Sequence, residues 1–334
     1  MDIILKIPES QSGFSLIELM IATLLGLMLT FGATSIYLQS TRDAREIENT
    51  SILSENGRFA LQILTKSIRH AGFFGSTNQA DISVDDSLSE VAGDCKGLAS
   101  TFDFSTAIYV KKISSEGSLD CINDGITNTH LLVIKRVISK PLFDSDPEDE
   151  NAPKDGIFSF PNLPEERKVY LAGNRESGVL AFGNEIPIYP AGGEARIAWP
   201  YQLEIYYIRD LEIPTLSRKV LMWKDSGLTL DNEDLIEGVE NLAIKIGIDS
   251  DFDGNVDIFE NIESPPTEWN AIEAIEIYLL LRSAYPDANY VNNKTYSLPT
   301  GDFTPSLNQK HYRRLLLQST ISLRNIKLNR RAGV

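Results

Sequence analysis

Basic residues are scarce in this chain. Its 334 residues hold 31 lysines and arginines against 47 acids, a net charge of −16. That balance excludes nucleic-acid binding through a broad basic face, because phosphate recognition needs clustered cations. Histidine is scarcer still. The three, His70, His130 and His311, fall in a helix, a strand and a late polar segment, and no two have metal-ligand spacing. Two cysteines make no zinc cluster. The chain has no G-x-S-x-G, no phosphate loop and no dinucleotide fingerprint. Nothing here points to catalysis, and the expectation is a non-enzyme. No solenoid repeat is visible. Trp199, Trp223 and Trp269 lie in or beside strand candidates and read as core or interface residues rather than a ligand cage.

What the chain does have is one long apolar run near its start. Phe14 to Leu38 spans 25 residues with a single charged side chain, Glu18. As a helix it is about 37 Å long, enough to cross a hydrocarbon core of about 30 Å. The run continues with no cleavage signal after it, unlike a secretory signal peptide. It reads as an anchor that stays. A carboxylate in such a segment is costly without a partner. A cut between Gly13 and Phe14 creates an α-ammonium four residues before Glu18, on the same helix face and at the positive end of the dipole.

The polar leader, Gly13, Phe14, Glu18 and the apolar helix together resemble the type IV prepilin signal. The resemblance implies removal of residues 1–13 by a prepilin peptidase on the cytoplasmic side and N-methylation of Phe14. It implies that Glu18 neutralises the amino terminus of a neighbouring subunit during assembly. The leader departs from the pattern in charge: Lys6 is its one base, against Asp2 and Glu9. A pilin topology places Cys95 and Cys121 in the periplasm, where one disulfide between them is expected.

After the apolar half, 14–38, the helix is expected to continue over 39–72. Gln39 to Ala71 contains no proline. Leu53, Ala60, Leu64, Ile68 and Ala71 recur at helical spacing, with Ile52, Phe59 and Ile63 widening the stripe. Gly72 and Gly75, around Phe73–Phe74, end it. Gly32, with Thr30 and Thr34 nearby, makes the helix weak by propensity between about Leu27 and Ile36.

The remainder, 73–334, reads as one β-rich head. Strands are expected at Ala107–Ile113, His130–Ile138, Val169–Ala172 and Val179–Phe182. Tyr201–Arg209 and Leu216–Lys224 form a hairpin around Pro214. A polar connection then leads to Asn241–Ile248, whose Leu242, Ile244, Ile246 and Ile248 share a face, and to Ala271–Ser283 and Arg314–Asn325. Pro141 to Arg167, with DSDPEDE at 144–150, reads as an exposed, mobile loop. The fold class is α+β: one long N-terminal helix, membrane-spanning in its first half, packed on a mostly antiparallel sheet.

Later blocks sharpen the resemblance to PilW-type minor pilins of the type IV pilus. GFSLIELMIATLLGLML, RFALQILTKSIRHAGFFG, EGVENLAIKIGID, WNAIEAIEIYLLLRS and YRRLLLQSTISLRN all look like that family. About 76–200 carries little of the likeness and is expected to hold variable insertions. The resemblance implies assembly with other minor pilins and the major pilin, with a tip adhesin as a further partner. It implies residence in the inner membrane with the head in the periplasm, then in the fibre, at its tip. A type II secretion pseudopilin and an anchored periplasmic adhesive or binding module are the alternatives.

One chemical motif remains. DSDFDGNVDIFE, Asp249 to Glu260, fits D-x-D-x-D-G followed by five residues and Glu. The ligands expected for one Ca²⁺ are Asp249, Asp251, Asp253, the Asn255 carbonyl, Asp257 and Glu260, with Gly254 at the turn.

Overall fold

The computed structural model describes residues 13–88, 90–114, 121–149, 151, 154–189, 196–262 and 269–332. It divides into two compact units, Met1–Ser51 and Ile52–Val334.

A single helix, α1 (Leu16–His70), runs through both. In the first unit its large apolar side chains from Leu16 to Leu38 are exposed, and by length and composition the helix is apolar enough to cross a membrane. Thr30 and Thr34 return their hydroxyls to the carbonyls of Gly26 and Thr30, so the polar groups of this weak-propensity stretch are satisfied within the helix. α1 is unbroken there.

In the second unit α1 buries Leu53, Gly57, Ala60, Leu64, Ser67 and Ile68, a stripe with a stride of three to four residues. Each buried leucine or isoleucine contributes about 2 kcal/mol by leaving water. Ile52 and Phe59 do not widen this stripe: they are 49% and 48% exposed. Each precedes a buried residue by one position, which turns it about 100° away from the core. The helix stops at His70, ahead of Gly72. The carbonyls of Arg69 in its last turn and of Ala71 just beyond it accept hydrogen bonds from the Asn325 side-chain amide.

The strands are β1 (Ile82–Val84), β2 (Ile108–Lys112), β3 (His130–Val137), β4 (Val169–Gly173), β5 (Gly178–Phe182), β6 (Ile197–Arg209), β7 (Thr215–Lys224), β8 (Gly227–Glu237), β9 (Val239–Ile248), β10 (Ile258–Asn261), β11 (Ile272–Arg282) and β12 (Arg314–Ser322), followed by helix α2 (Arg324–Ala332). Among the described residues they form two sheets. One has the order β1-β5-β4-β6-β3-β2, with β7 also on β6 and β8 on β7; the other is β10-β9-β11-β12. Every pairing is antiparallel except β1 with β5.

Three expectations are corrected. The polar connection after Lys224 is strand β8, reached through the two-residue turn Asp225–Ser226. Its Leu228 and Leu230 are buried while most of its other residues are partly or fully exposed. A strand that covers the core with one face needs few apolar residues. The last strand ends at Ser322, and Arg324–Ala332 is helical. The segment after Pro141 is no free loop. Leu142 pairs with Ala198 and Phe143 with Phe160, and Leu142 and Phe158 are buried with Tyr170 and Ala198.

β6 is the hub. Ala198 and Pro200 bond on one edge to Leu142 and Ile138, on the side where β3 pairs Tyr201 to Tyr206. On the opposite edge β4 pairs Ile197 to Pro200, and β7 pairs Glu204 to Arg209.

Candidate functional sites at the anchor and the aspartate loop

Ser15 stands just before the first residue of α1. Its backbone N–H donates to Glu18 Oε2 at 2.9 Å, and its Oγ accepts from the Ile17 N–H at 3.2 Å. This closes the helix start as a capping box. The sequence carries this signal as S-x-x-E at Ser15–Glu18, which the charge-pairing reading of Glu18 does not use. Phe14 is 93% exposed. Apart from Gly13, the expected leader lies outside the described residues.

The expected disulfide is present: Cys95 and Cys121 are bonded, with Cα atoms 4.8 Å apart. The two cysteines are 26 positions apart in sequence, a closure worth about 3 kcal/mol in chain-entropy terms. The segment after Cys95 is held from inside. Asp94 accepts from the Cys95 and Thr101 N–H groups and from the Thr101 hydroxyl. Lys135, 1% exposed, donates to the carbonyls of Leu98 and Asp103. Burial pushes its pKa down from 10.5 to about 8, against the nearby Asp103 and Asp94.

In the aspartate loop the structure brings together Asp249, Asp251 and Asp257, with one carboxylate oxygen of each within 4.8 Å of the others. Asp249 is buried and accepts from the Gly254 N–H at 2.9 Å. Gly254 sits at φ +93°, the sharp turn its position required. The Ser250 hydroxyl and N–H both donate to Asp257 Oδ2, which holds that carboxyl below its ordinary value. Asp253 stands apart from this group and takes both the Asn255 N–H and its side-chain amide. Glu260 lies in β10, paired with Ile246, outside the carboxylate cluster. Lys327 of α2 donates to the Gly254 carbonyl and pairs with Glu273 at 3.3 Å, so α2 holds the loop from the far end of the chain.

The histidines are spent on backbone. His130 Nδ1 accepts from the Ile244 N–H, while His70 and His311 bond to the carbonyls of Lys66 and Tyr290.

A long N-terminal helix, apolar in its first part, and a mostly antiparallel β head make this an α+β protein. Residues 205–325, part of the head, match the family model described as type IV pilus-assembly protein W, and the blocks EGVENLAIKIGID, WNAIEAIEIYLLLRS and YRRLLLQSTISLRN fall within that match. No curated protein matches the chain. Among solved structures it is similar to a type IV-like pilin from Thermus thermophilus. The two are 9% identical over 82% of this chain and 98% of that one, with a TM-score of 0.37.

Proposed function

We propose that the protein is a minor pilin, a structural subunit that joins other pilins in the complex priming or capping a type IV pilus. The observation that carries the reading is α1, one unbroken helix whose first 23 residues, Leu16 to Leu38, expose an apolar surface and whose end is the spine of a folded head. Such a surface must be covered by lipid, then by the helices of neighbouring subunits. The subunit is processed by prepilin peptidase between Gly13 and Phe14, and Phe14 is N-methylated. It waits in the inner membrane with its head in the periplasm, then enters the fibre, where a head of this size fits best at the tip. Its role is assembly rather than catalysis, in support of pilus-dependent motility, adhesion or DNA uptake.

Deleting the chain is expected to abolish piliation and twitching. A secretion defect with normal pili would instead assign it to a type II pseudopilus. A ligand-binding defect alone would make it an anchored adhesive module. Mass spectrometry of the assembled protein should find N-methylated Phe14 at the start; an intact Met1 terminus would contradict the processing.

We propose further that the aspartate loop takes one Ca²⁺ in the calcium-rich periplasm or exterior. Asp249, Asp251 and Asp257 would be the first donors, with Asp253, the Asn255 carbonyl and Glu260 able to join only if the loop tightens. The convergence of three carboxylates at one turn supports this.

A further inference from the structure

β12 is the last strand of its sheet and pairs with β11 on one side only. The Leu323 N–H donates to the Glu273 carbonyl and the Ser283 N–H to the Arg313 carbonyl, and the register between these two points has no shift. Odd-numbered residues of β12 therefore bond to β11. Arg314, Leu316, Gln318, Thr320 and Ser322 turn their N–H and C=O groups to the outer edge. Among the described residues nothing bonds to those outer groups.

The other edge strands are guarded. β1 has three residues and β10 four, and β2 carries Lys111 and Lys112. β8 carries Asp231, Glu233, Asp234 and Glu237, shifts register against β7 and is bridged by Ala92. β12 runs for nine residues, and from Leu315 to Ser322 it has no charge, proline or glycine. Its one charge, Arg314, is fully buried against Glu240 at 2.6 Å and guards nothing. A long, flat, uncharged edge is a template for another strand. Its two faces differ. Leu317 packs against Gly57 of α1, so Leu315, Leu317 and Ile321 share the α1 face, the first two only partly buried. Gln318, Thr320 and Ser322 are exposed on the other face.

We propose that β12 receives an extended, uncharged segment of a different polypeptide as a further strand. Alternate side chains of that segment are apolar and cover Leu315 and Leu317. Those between them are Ser, Thr, Asn or Gln and meet Gln318 and Thr320. A charge on the apolar face would lose water with no counter-ion opposite it. β12 itself has this alternation, but antiparallel pairing of two copies is excluded by direction. β12 runs alongside α1 in the same sense, with Leu317 at Gly57 and Asn325 at Arg69 and Ala71. A two-fold axis pairing β12 antiparallel with its copy would reverse α1 in one of the two chains. Chains inserted in one membrane with one orientation cannot adopt that. The contact deepens the assembly reading, but it belongs to the head and holds for a pilus, a pseudopilus or an adhesive module alike.

The test uses the full-length protein in the cells that make it, with Ser322→p-benzoylphenylalanine as a photo-crosslinker. The expected product maps to an uncharged, alternating stretch of another polypeptide. That stretch, as a synthetic peptide, should bind the purified full-length protein in detergent. Methylating every second backbone nitrogen of the peptide should abolish binding in one phase and spare it in the other, because only one set of amides faces β12. Thr320→Pro removes an outer N–H without touching the bonds to β11 and should weaken binding about tenfold or more. Thr320→Lys, a guard of the kind other edges carry, should do the same, and Thr320→Ser hardly anything. If Thr320→Pro fails to fold, as read by its melting temperature, Thr320→Lys decides. No photoproduct, or a product on a helical or charged segment, on lipid, on glycan or on another copy of this chain, would overturn the proposal. So would methylation effects without phase, or binding unchanged by Thr320→Lys. Piliation of the deletion strain is scored alongside: a captured strand with normal pili on deletion refutes the assembly reading and leaves the contact. Lost piliation without capture does the reverse.

Discussion

At the scale of single residues, the cap made by Glu18 and the charge pairing proposed for it are separable. Its carboxylate accepts the Ser15 N–H and so closes the helix start; the proposed pairing is with a neighbour's ammonium. Glu18→Gln retains an acceptor for the cap but removes the charge, whereas Glu18→Ala removes both. Both variants should insert in the membrane. If the charge is what assembly needs, both should be missing from sheared pili by immunoblot; if the cap is what matters, only Glu18→Ala should be. Lys135 permits a second separation. Its folded pKa of about 8 lies below its ordinary 10.5, so between those values the unfolded chain binds more protons than the folded one. Stability from this group is therefore fully present above 10.5 and lost as pH falls through 8. Denaturant melts of the full-length protein in detergent should show stability rising by about 1–2 kcal/mol from pH 7.5 to 9.5. Lys135→Met should remove that rise. The window stays below the tyrosines Tyr201 and Tyr207, whose hydroxyls burial pushes up and whose titration acts in the opposite sense.

At the scale of elements, the junction between α1 and the sheet is tightly constrained. Gly75 has φ +67°, and a side chain at this position would collide with the Trp199 indole nitrogen. Phe73 packs edge-on against the same indole, 5.5 Å between ring centres. Gly75→Ala therefore combines a strained backbone with a clash against a large ring. The expected cost is about 2–4 kcal/mol, read as a lower melting temperature of the full-length protein in detergent. A neutral result would show that Trp199 can move aside. The same junction is tied from the other end of the chain. Asn325 holds the last carbonyls of α1, and Ile326 is buried beside Gly72. Ser67 of α1 shares a hydrogen bond with the Tyr206 hydroxyl at 2.8 Å, which fixes the helix to β6.

At the scale of the whole molecule, the aspartate loop links its neighbours through α2. Lys327 reaches the Gly254 carbonyl while Asn325, two residues earlier, caps α1. Calcium bound by Asp249, Asp251 and Asp257 would stabilise the head by mass action. Calorimetry of the full-length protein should show a melting temperature raised by millimolar calcium and restored by chelator. The rise should be absent in an Asp251→Ala, Asp257→Ala variant, which keeps the buried Asp249 in place. Asp253→Ala should matter less, since that side chain is already committed to Asn255. An unchanged melting temperature in the parent would leave the loop as a solvated turn that Lys327 alone secures.

What the sequence by itself determined was whatever depends on neighbours along the chain. The apolar run to Leu38, the stripe Leu53–Ala60–Leu64–Ile68 and the alternation Leu242–Ile244–Ile246 are periodic, so helix and strand follow from local spacing. The stretch from Asp249 to Gly254 likewise specifies a turn, because glycine stands where φ is positive. The tertiary structure decided what depends on residues far away. β8 is a strand because β7 offers it an edge, although most of its residues are polar. Glu204 is fully buried because Arg136 and Arg218 arrive from two other strands to neutralise it. Asp257 joined Asp249 while Glu260 was carried off by pairing with Ile246. Periodicity reports which face of an element is buried; only the folded chain decides which partner lies against it.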